Sequence, residues 1–167
     1  MAHTLNIDEF LRQAADRGPC VGIRAESPLA PLAGIEVRSV EGADITTVDA
    51  IYDAFAEAWD FPQWFGRNAD AFDDFMRDLD NMVSAGTGRP PPRGYLTEIT
   101  NAHLILANQL EVFRWFANAM PFYRDYYRDE LSPPAAFGVL LSTPADKIRE
   151  VRERWVSVGV EVAALDA

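Results

Sequence analysis

The chain has 167 residues, of which 15 are basic and 26 acidic, so its formal net charge is −11. Hydrophobic residues make up 49% of it, which is enough to fill the core of one globular domain. The acidic excess argues against direct binding to nucleic-acid phosphates or to an anionic membrane. It favours either plain solubility or a basic partner.

Cysteine and histidine are scarce in this sequence. Cys20 is the only cysteine, which excludes an internal disulfide and is typical of a reducing compartment. His3 and His103 lie far apart, so we expect no zinc site, and no motif calls for another cofactor. The N-terminus has no basic and apolar leader, and no apolar run approaches the ~20 residues of a membrane span. Together these features predict a cytoplasmic protein.

The first predicted elements are a helix, two strands and a second helix. Asn6-Ile7-Asp8-Glu9 resembles a capping box, and apolar residues follow it at helical spacing. Residues 21–24 and 35–40 have strand composition, with a proline-containing connector between them. Thr46-x-x-Asp49 begins the second helix, which we expect to end at Pro62, because the residue before a proline avoids helical geometry.

The second half of the chain continues the alternation. Asn68 is the expected cap of a third helix, whose inner face is Phe72, Phe75, Met76 and Leu79. The remaining predicted elements are a loop at 84–94, a strand at 95–100, a helix marked by Leu106, Leu110, Phe113 and Ala117, an irregular aromatic segment at 121–134, a strand at 137–141, a helix beginning at Thr143-Pro144, and a last strand at 158–165.

The order of these elements favours an α/β fold. Strands alternate with helices from residue 35 to residue 141, which predicts a small parallel sheet packed by helices. We expect residues 1–167 to form a single domain. The tyrosine-rich segment at 121–130 leaves two interpretations open: its rings pack over the last helix, or they form a second contact surface.

The most informative stretch is residues 61–74, where two aromatic residues and a glycine precede an acidic helix. Asp70 and Asp74 are four residues apart and share one helix face, and Asp73 lies beside them. Acidic residues near a helix N-terminus are favoured by the helix dipole, so a solvated acidic face explains Asp70. Because Asp74 extends the row further than the dipole effect reaches, a binding surface is the other interpretation.

The pattern Phe-Pro-x-Trp-Phe-Gly-x-Asn-x-Asp-Ala-Phe-x-Asp at 61–74 resembles the barstar family, small inhibitors of barnase-type ribonucleases. The resemblance is best over residues 35–82 and continues more weakly to residue 142. It implies a barstar-like core at 35–142, with terminal extensions at 1–34 and 143–167.

The resemblance also implies a function. In that family, this connector and helix enter the nuclease active site, where acidic side chains take the place of the RNA phosphate. A chain of this kind is no enzyme, needs no metal or cofactor, and is expected to act as a monomeric immunity protein or antitoxin inside a bacterial cell. The residues expected to bind the partner are Trp64, Phe65, Gly66, Asn68, Asp70, Asp73 and Asp74.

Several positions differ from the family's pattern, and they bear on which nuclease is bound. They are Asp73, where the family has tryptophan, Arg67 in place of glutamate, Trp115 in place of a further glutamate, Phe65, which lacks a tyrosine hydroxyl, and also Arg77 and Asp78. Two alternatives remain open. The aspartates could serve an enzyme as acid, base or metal ligands, or the chain could be a scaffold that kept the fold and changed its partner.

Overall fold

The computed structural model describes residues 4–84 and 87–167; His3 and the part of the predicted loop at residues 85 and 86 lie outside them. The chain order of its main elements is α1 (Ile7–Ala14), β1 (Val21–Ala25), β2 (Ile35–Glu41), α2 (Val48–Ala58), α3 (Ala69–Met76), α4 (Leu79–Ser84), β3 (Gly94–Thr100), α5 (Leu110–Asp129), β4 (Ala136–Thr143), α6 (Ile148–Ser157) and β5 (Val162–Ala164).

The five strands form one parallel sheet in the order β2-β3-β4-β1-β5. The predicted α/β class, with a parallel sheet packed by helices, is therefore confirmed. The segments predicted to be terminal extensions contribute β1 and β5 to this sheet, where β1 pairs with β4 and β5 pairs with β1. All eight residues of β4 are buried, as expected of a central strand.

Helices cover both faces of the sheet. On one face, Phe10 and Leu11 of α1 pack with Leu96 and Leu140 of the central strands. On the other face lies the larger core, to which α2, α3, α5 and α6 contribute the large buried side chains Phe55, Phe72, Phe113, Phe116 and Trp155. Side chains alternate between the two faces of a strand, so β3 and β4 supply apolar residues to both cores. No helix within residues 4–84 and 87–167 is long and apolar enough to cross a membrane.

The prediction of an irregular segment at 121–134 is wrong for most of that range, because α5 continues through Pro121 to Asp129. Proline lacks the N–H that the helix would use at this point, so the helix loses one hydrogen bond there. The apolar stripe nevertheless goes on beyond it with the buried Tyr123 and Tyr127. Their rings pack on Phe137 of β4, with centroid distances of 5.7 and 5.6 Å, and this burial maintains the helix.

The predicted third helix is two helices. α3 ends at Met76, and α4 begins at Leu79. At the break, the Tyr127 hydroxyl donates to the Met76 carbonyl at 2.6 Å and accepts from the Leu79 N–H at 3.0 Å. One buried phenol therefore satisfies backbone groups that the interrupted helix leaves free.

Smaller differences concern element ends, including the end of α2 at Ala58, before the predicted Pro62, and the start of α5 at Leu110, after Leu106. The cap of α2 is Thr47, whose hydroxyl accepts from the Ala50 N–H at 3.2 Å, and not Thr46. The last strand is limited to Val162–Ala164, shorter than the predicted 158–165.

Candidate functional site

The connector between α2 and α3 is a tight turn with one outward aromatic side chain. Phe61 and Phe65 point into the core with ring centroids 5.1 Å apart, and the Phe65 N–H donates to the Pro62 carbonyl at 2.9 Å. Trp64 lies between these anchors, and 78% of its surface is exposed. Its ring contacts the partly buried Phe75 of α3 at 5.3 Å. The turn thus exposes the ring of Trp64, while the buried rings of Phe61 and Phe65 hold the turn in place.

Asn68 joins this turn to α3. Its side-chain oxygen accepts from the Ala71 N–H at 2.8 Å, which confirms the predicted N-cap. Its amide nitrogen also donates to the Gly66 carbonyl at 3.3 Å. A Cβ added at Gly66 would lie 3.3 Å from that same nitrogen, so a glycine suits the close approach of turn and cap.

Asp70 and Asp74 lie on the solvent side of α3. Asp70 is exposed in the first turn, close to the positive end of the helix dipole. The Asp74 side chain is 72% exposed, and its carboxylate accepts a hydrogen bond from Arg77 at 3.0 Å. The two carboxylates are therefore open to a partner, and Asp74 also has a partner within its own chain.

Asp73 lies on a different side of the helix from the other two acids. It is half-buried, and its carboxylate accepts a hydrogen bond from the Tyr123 hydroxyl of α5. Burial, together with this hydrogen bond, raises the pKa of Tyr123, so the phenol stays a donor. The structure does not bring Asp73 into the exposed row of Asp70 and Asp74.

Phe65 is also turned away from solvent, with 8% of its surface exposed. Its ring makes an edge contact with Tyr52 of α2 at 5.8 Å. Trp64 is thus the only one of the two adjacent aromatic residues that offers contact area.

Arg67 ties the connector to α2. Its guanidinium donates to Asp53 and lies 3.6 Å from the carboxylate of Asp49. The hydrogen bond to Asp53 raises the pKa of Arg67, which in any case stays charged. This pairing gives the residue a local role where the family has an acid.

Sequence reasoning missed the surroundings of Arg77. Its guanidinium lies over the rings of Phe122 and Tyr126 on α5, at 5.5 and 5.7 Å from their centroids. The spacing of Asp74 and Arg77, three residues apart, is a sequence signal for their pairing. The contact with the two rings does not follow from the sequence, because the pattern at 121–134 predicts an irregular segment and not the helix that carries them.

The chemistry of the side chains in this region follows from their type and burial. Within residues 4–84 and 87–167, no group of three or more His, Cys, Asp or Glu side chains is placed to hold a metal ion. Cys20 is buried, and burial raises the pKa of its thiol to about 12, which makes it a poor nucleophile. The turn and α3 present two exposed carboxylates, and the exposed indole of Trp64 contacts Phe75 of the same helix.

Comparison with known proteins gives one family. The model of the family described as Barstar (barnase inhibitor) matches residues 35–138 of the chain. A search of curated proteins found no match. The matched range begins at β2, ends within β4, and includes the connector, α3 and Arg77.

Proposed function

The chain belongs to the barstar family, and on that premise we propose that it inhibits a barnase-type ribonuclease or a related basic nuclease toxin. Members of this family are inhibitors and not enzymes. Inhibition would occur by covering the active site of the nuclease, without a cofactor. This function places the chain in the cytoplasm of the bacterial cell that makes the nuclease, as its immunity protein or antitoxin.

The observation that carries the proposal is the pair of exposed carboxylates on a capped helix. An RNA-cleaving site holds basic groups that bind phosphate, and carboxylates can meet the same groups with charge-assisted hydrogen bonds. Asp70 and Asp74 are fixed to α3, whose first turn is closed by the Asn68 cap. Little backbone freedom is therefore left to lose on binding, which favours affinity.

The residues of the binding segment have two roles in this proposal. Trp64, Asp70 and Asp74 contact the nuclease, since all three are exposed. Tryptophan is enriched among the residues that dominate interface energies, and acidic groups speed encounter with a basic target. The supporting residues, which hold the turn and the helix in place, are Phe65, Gly66, Asn68 and Asp73.

The experiment is an RNA-cleavage assay with a barnase-type ribonuclease, into which the chain is titrated. We expect stoichiometric inhibition by the wild type and much weaker inhibition by Asp74→Ala. The matched control is Glu153→Ala, which removes the same charge from an exposed position on α6. An equal loss of inhibition in both variants would show that inhibition depends on the net charge of the chain and not on the position of Asp74. Absence of inhibition by the wild type would favour a barstar-fold interaction protein with another partner.

A further inference from the structure

Arg77 is the only basic residue from Ala69 to Ser84, and it lies at the end of the acidic helix. Its Nε donates to the Asp73 carbonyl at 3.1 Å, and its Nη2 donates to the Asp74 carboxylate at 3.0 Å. The face of its guanidinium lies over two rings of α5, those of Phe122 and Tyr126. Two hydrogen bonds and two aromatic contacts thus hold this charge in one place.

The fixed position of Arg77 has a consequence for any basic target. A cation that binds the Asp74 carboxylate comes close to the Arg77 guanidinium, because that group is already bonded to the same carboxylate. Like charges at such a distance repel each other, and the cost is largest when water is excluded. Arg77 therefore disfavours targets that present only positive charge at this point.

Arg77 can stabilise the complex with a target that also carries a hydrogen-bond acceptor. The guanidinium has five N–H donors, and two of them have hydrogen-bond partners among residues 4–84 and 87–167. The side chain is 33% exposed, so part of the group faces solvent. A carboxylate or carbonyl oxygen of the target can accept from the remaining donors while its basic neighbour binds Asp74.

We propose that Arg77 is a specificity-determining residue, which makes tight binding at Asp74 depend on a hydrogen-bond acceptor beside the basic groups of the target. This inference rests on the proposed function and adds a chemical requirement for the partner. The target surface has mixed charge: basic groups opposite Asp70 and Asp74, and an oxygen acceptor opposite Arg77.

The test measures association and dissociation rates with the barnase-type ribonuclease that the wild type inhibits. Arg77→Met keeps an apolar side chain against Phe122 and Tyr126 but removes the donors and the charge. The control, Arg149→Met, removes a positive charge from a side chain that is 92% exposed on α6. We expect neither variant to associate more slowly, because each makes the chain more acidic. We expect the dissociation rate to rise at least about tenfold for Arg77→Met only.

A second variant separates charge from geometry. Arg77→Lys keeps the positive charge but lacks the planar fork that reaches two acceptors at once. We expect its association rate to stay at the wild-type value and its dissociation rate to rise, with an unchanged thermal midpoint as evidence of intact folding. A dissociation rate of Arg77→Met equal to or below that of the wild type would overturn the inference and leave the proposed function intact. If the wild type bound no barnase-type ribonuclease, both the proposed function and the inference about Arg77 would be contradicted.

Discussion

The hydroxyl of Tyr123 on α5 donates a hydrogen bond to the carboxylate of Asp73 on α3. This bond joins two helices that are far apart in the chain, and it turns one of the three clustered aspartates inward. The acidic segment therefore contains two exposed carboxylates and one that is bonded inside the fold, which composition alone does not distinguish.

The first prediction concerns that bond. Tyr123→Phe leaves the half-buried carboxylate without its donor, and we expect the free energy of unfolding to fall by about 1–3 kcal/mol. Urea denaturation followed by circular dichroism measures it. Asp73→Asn is the control, because the amide oxygen still accepts from the phenol, and it should cost less. An unchanged urea midpoint in Tyr123→Phe would show that the bond does not contribute to stability.

The second prediction separates two adjacent aromatic residues. Phe65→Ala removes a buried ring and should destabilise the fold by about 3–5 kcal/mol. Trp64→Ala removes an exposed ring, so it should change stability by no more than about 0.5 kcal/mol. In the inhibition assay, we expect Trp64→Ala to weaken the complex by about 2 kcal/mol, as interface tryptophans do. Full inhibition by Trp64→Ala would exclude the indole from the interface.

The third prediction concerns the two exposed aspartates. Asp74→Ala should weaken the complex by more than ~2 kcal/mol, and Asp70→Ala should weaken it less while slowing association. Neither change should alter stability by more than about 1 kcal/mol, since the Asp74–Arg77 pair is largely solvated. Titration calorimetry at low and high salt provides the affinities. If Asp74→Ala bound as tightly as the wild type to a nuclease that the wild type inhibits, the proposed binding mode would be contradicted.

The fourth prediction is a loss of stability in alkaline solution. Burial raises the pKa of Tyr95 from 10.0 to about 12, and burial raises the pKa of Cys20 from 9.0 to about 12. The unfolded chain releases these protons near pH 10.0 and 9.0, whereas the folded chain retains them up to about pH 12. Stability is therefore complete below about pH 9 and falls as the pH rises towards 12.

Urea denaturation at about pH 8 and about pH 10.5 measures this dependence. The variant Tyr95→Phe removes one of the titrating groups, so its stability should fall less steeply with pH. Equal slopes in the wild type and the variant would show that Tyr95 does not take part.

Much of the fold could be predicted from local signals. The capping residue Asn68 marks the start of α3, and the strand-like runs at 35–40 and 95–100 lie within β2 and β3. These predictions depend on a few neighbouring residues, whose spacing and cap chemistry act locally. The exposed positions of Asp70 and Asp74 also follow from helical periodicity.

What could not be predicted depends on contacts between distant segments. Pro121 has a strong local preference against a helix interior, but the burial of Tyr123 and Tyr127 against β4 outweighs it. The inward turn of Asp73 likewise depends on a tyrosine of another helix. Helical spacing places Asp73 to one side of Asp70 and Asp74, but its hydrogen bond follows only from the position of α5 beside α3.

The order of the strands has a consequence for how the protein is made. Within residues 4–84 and 87–167, β1 pairs only with β4 and β5, which leave the ribosome much later, whereas β2 and β3 follow each other in the chain and can pair first. The segment at 21–25 therefore emerges during translation with no strand to join, and its apolar residues must wait until β4 has been synthesised. Placement of β1 in the sheet therefore requires that the chain be made at least as far as β4, which ends at Thr143.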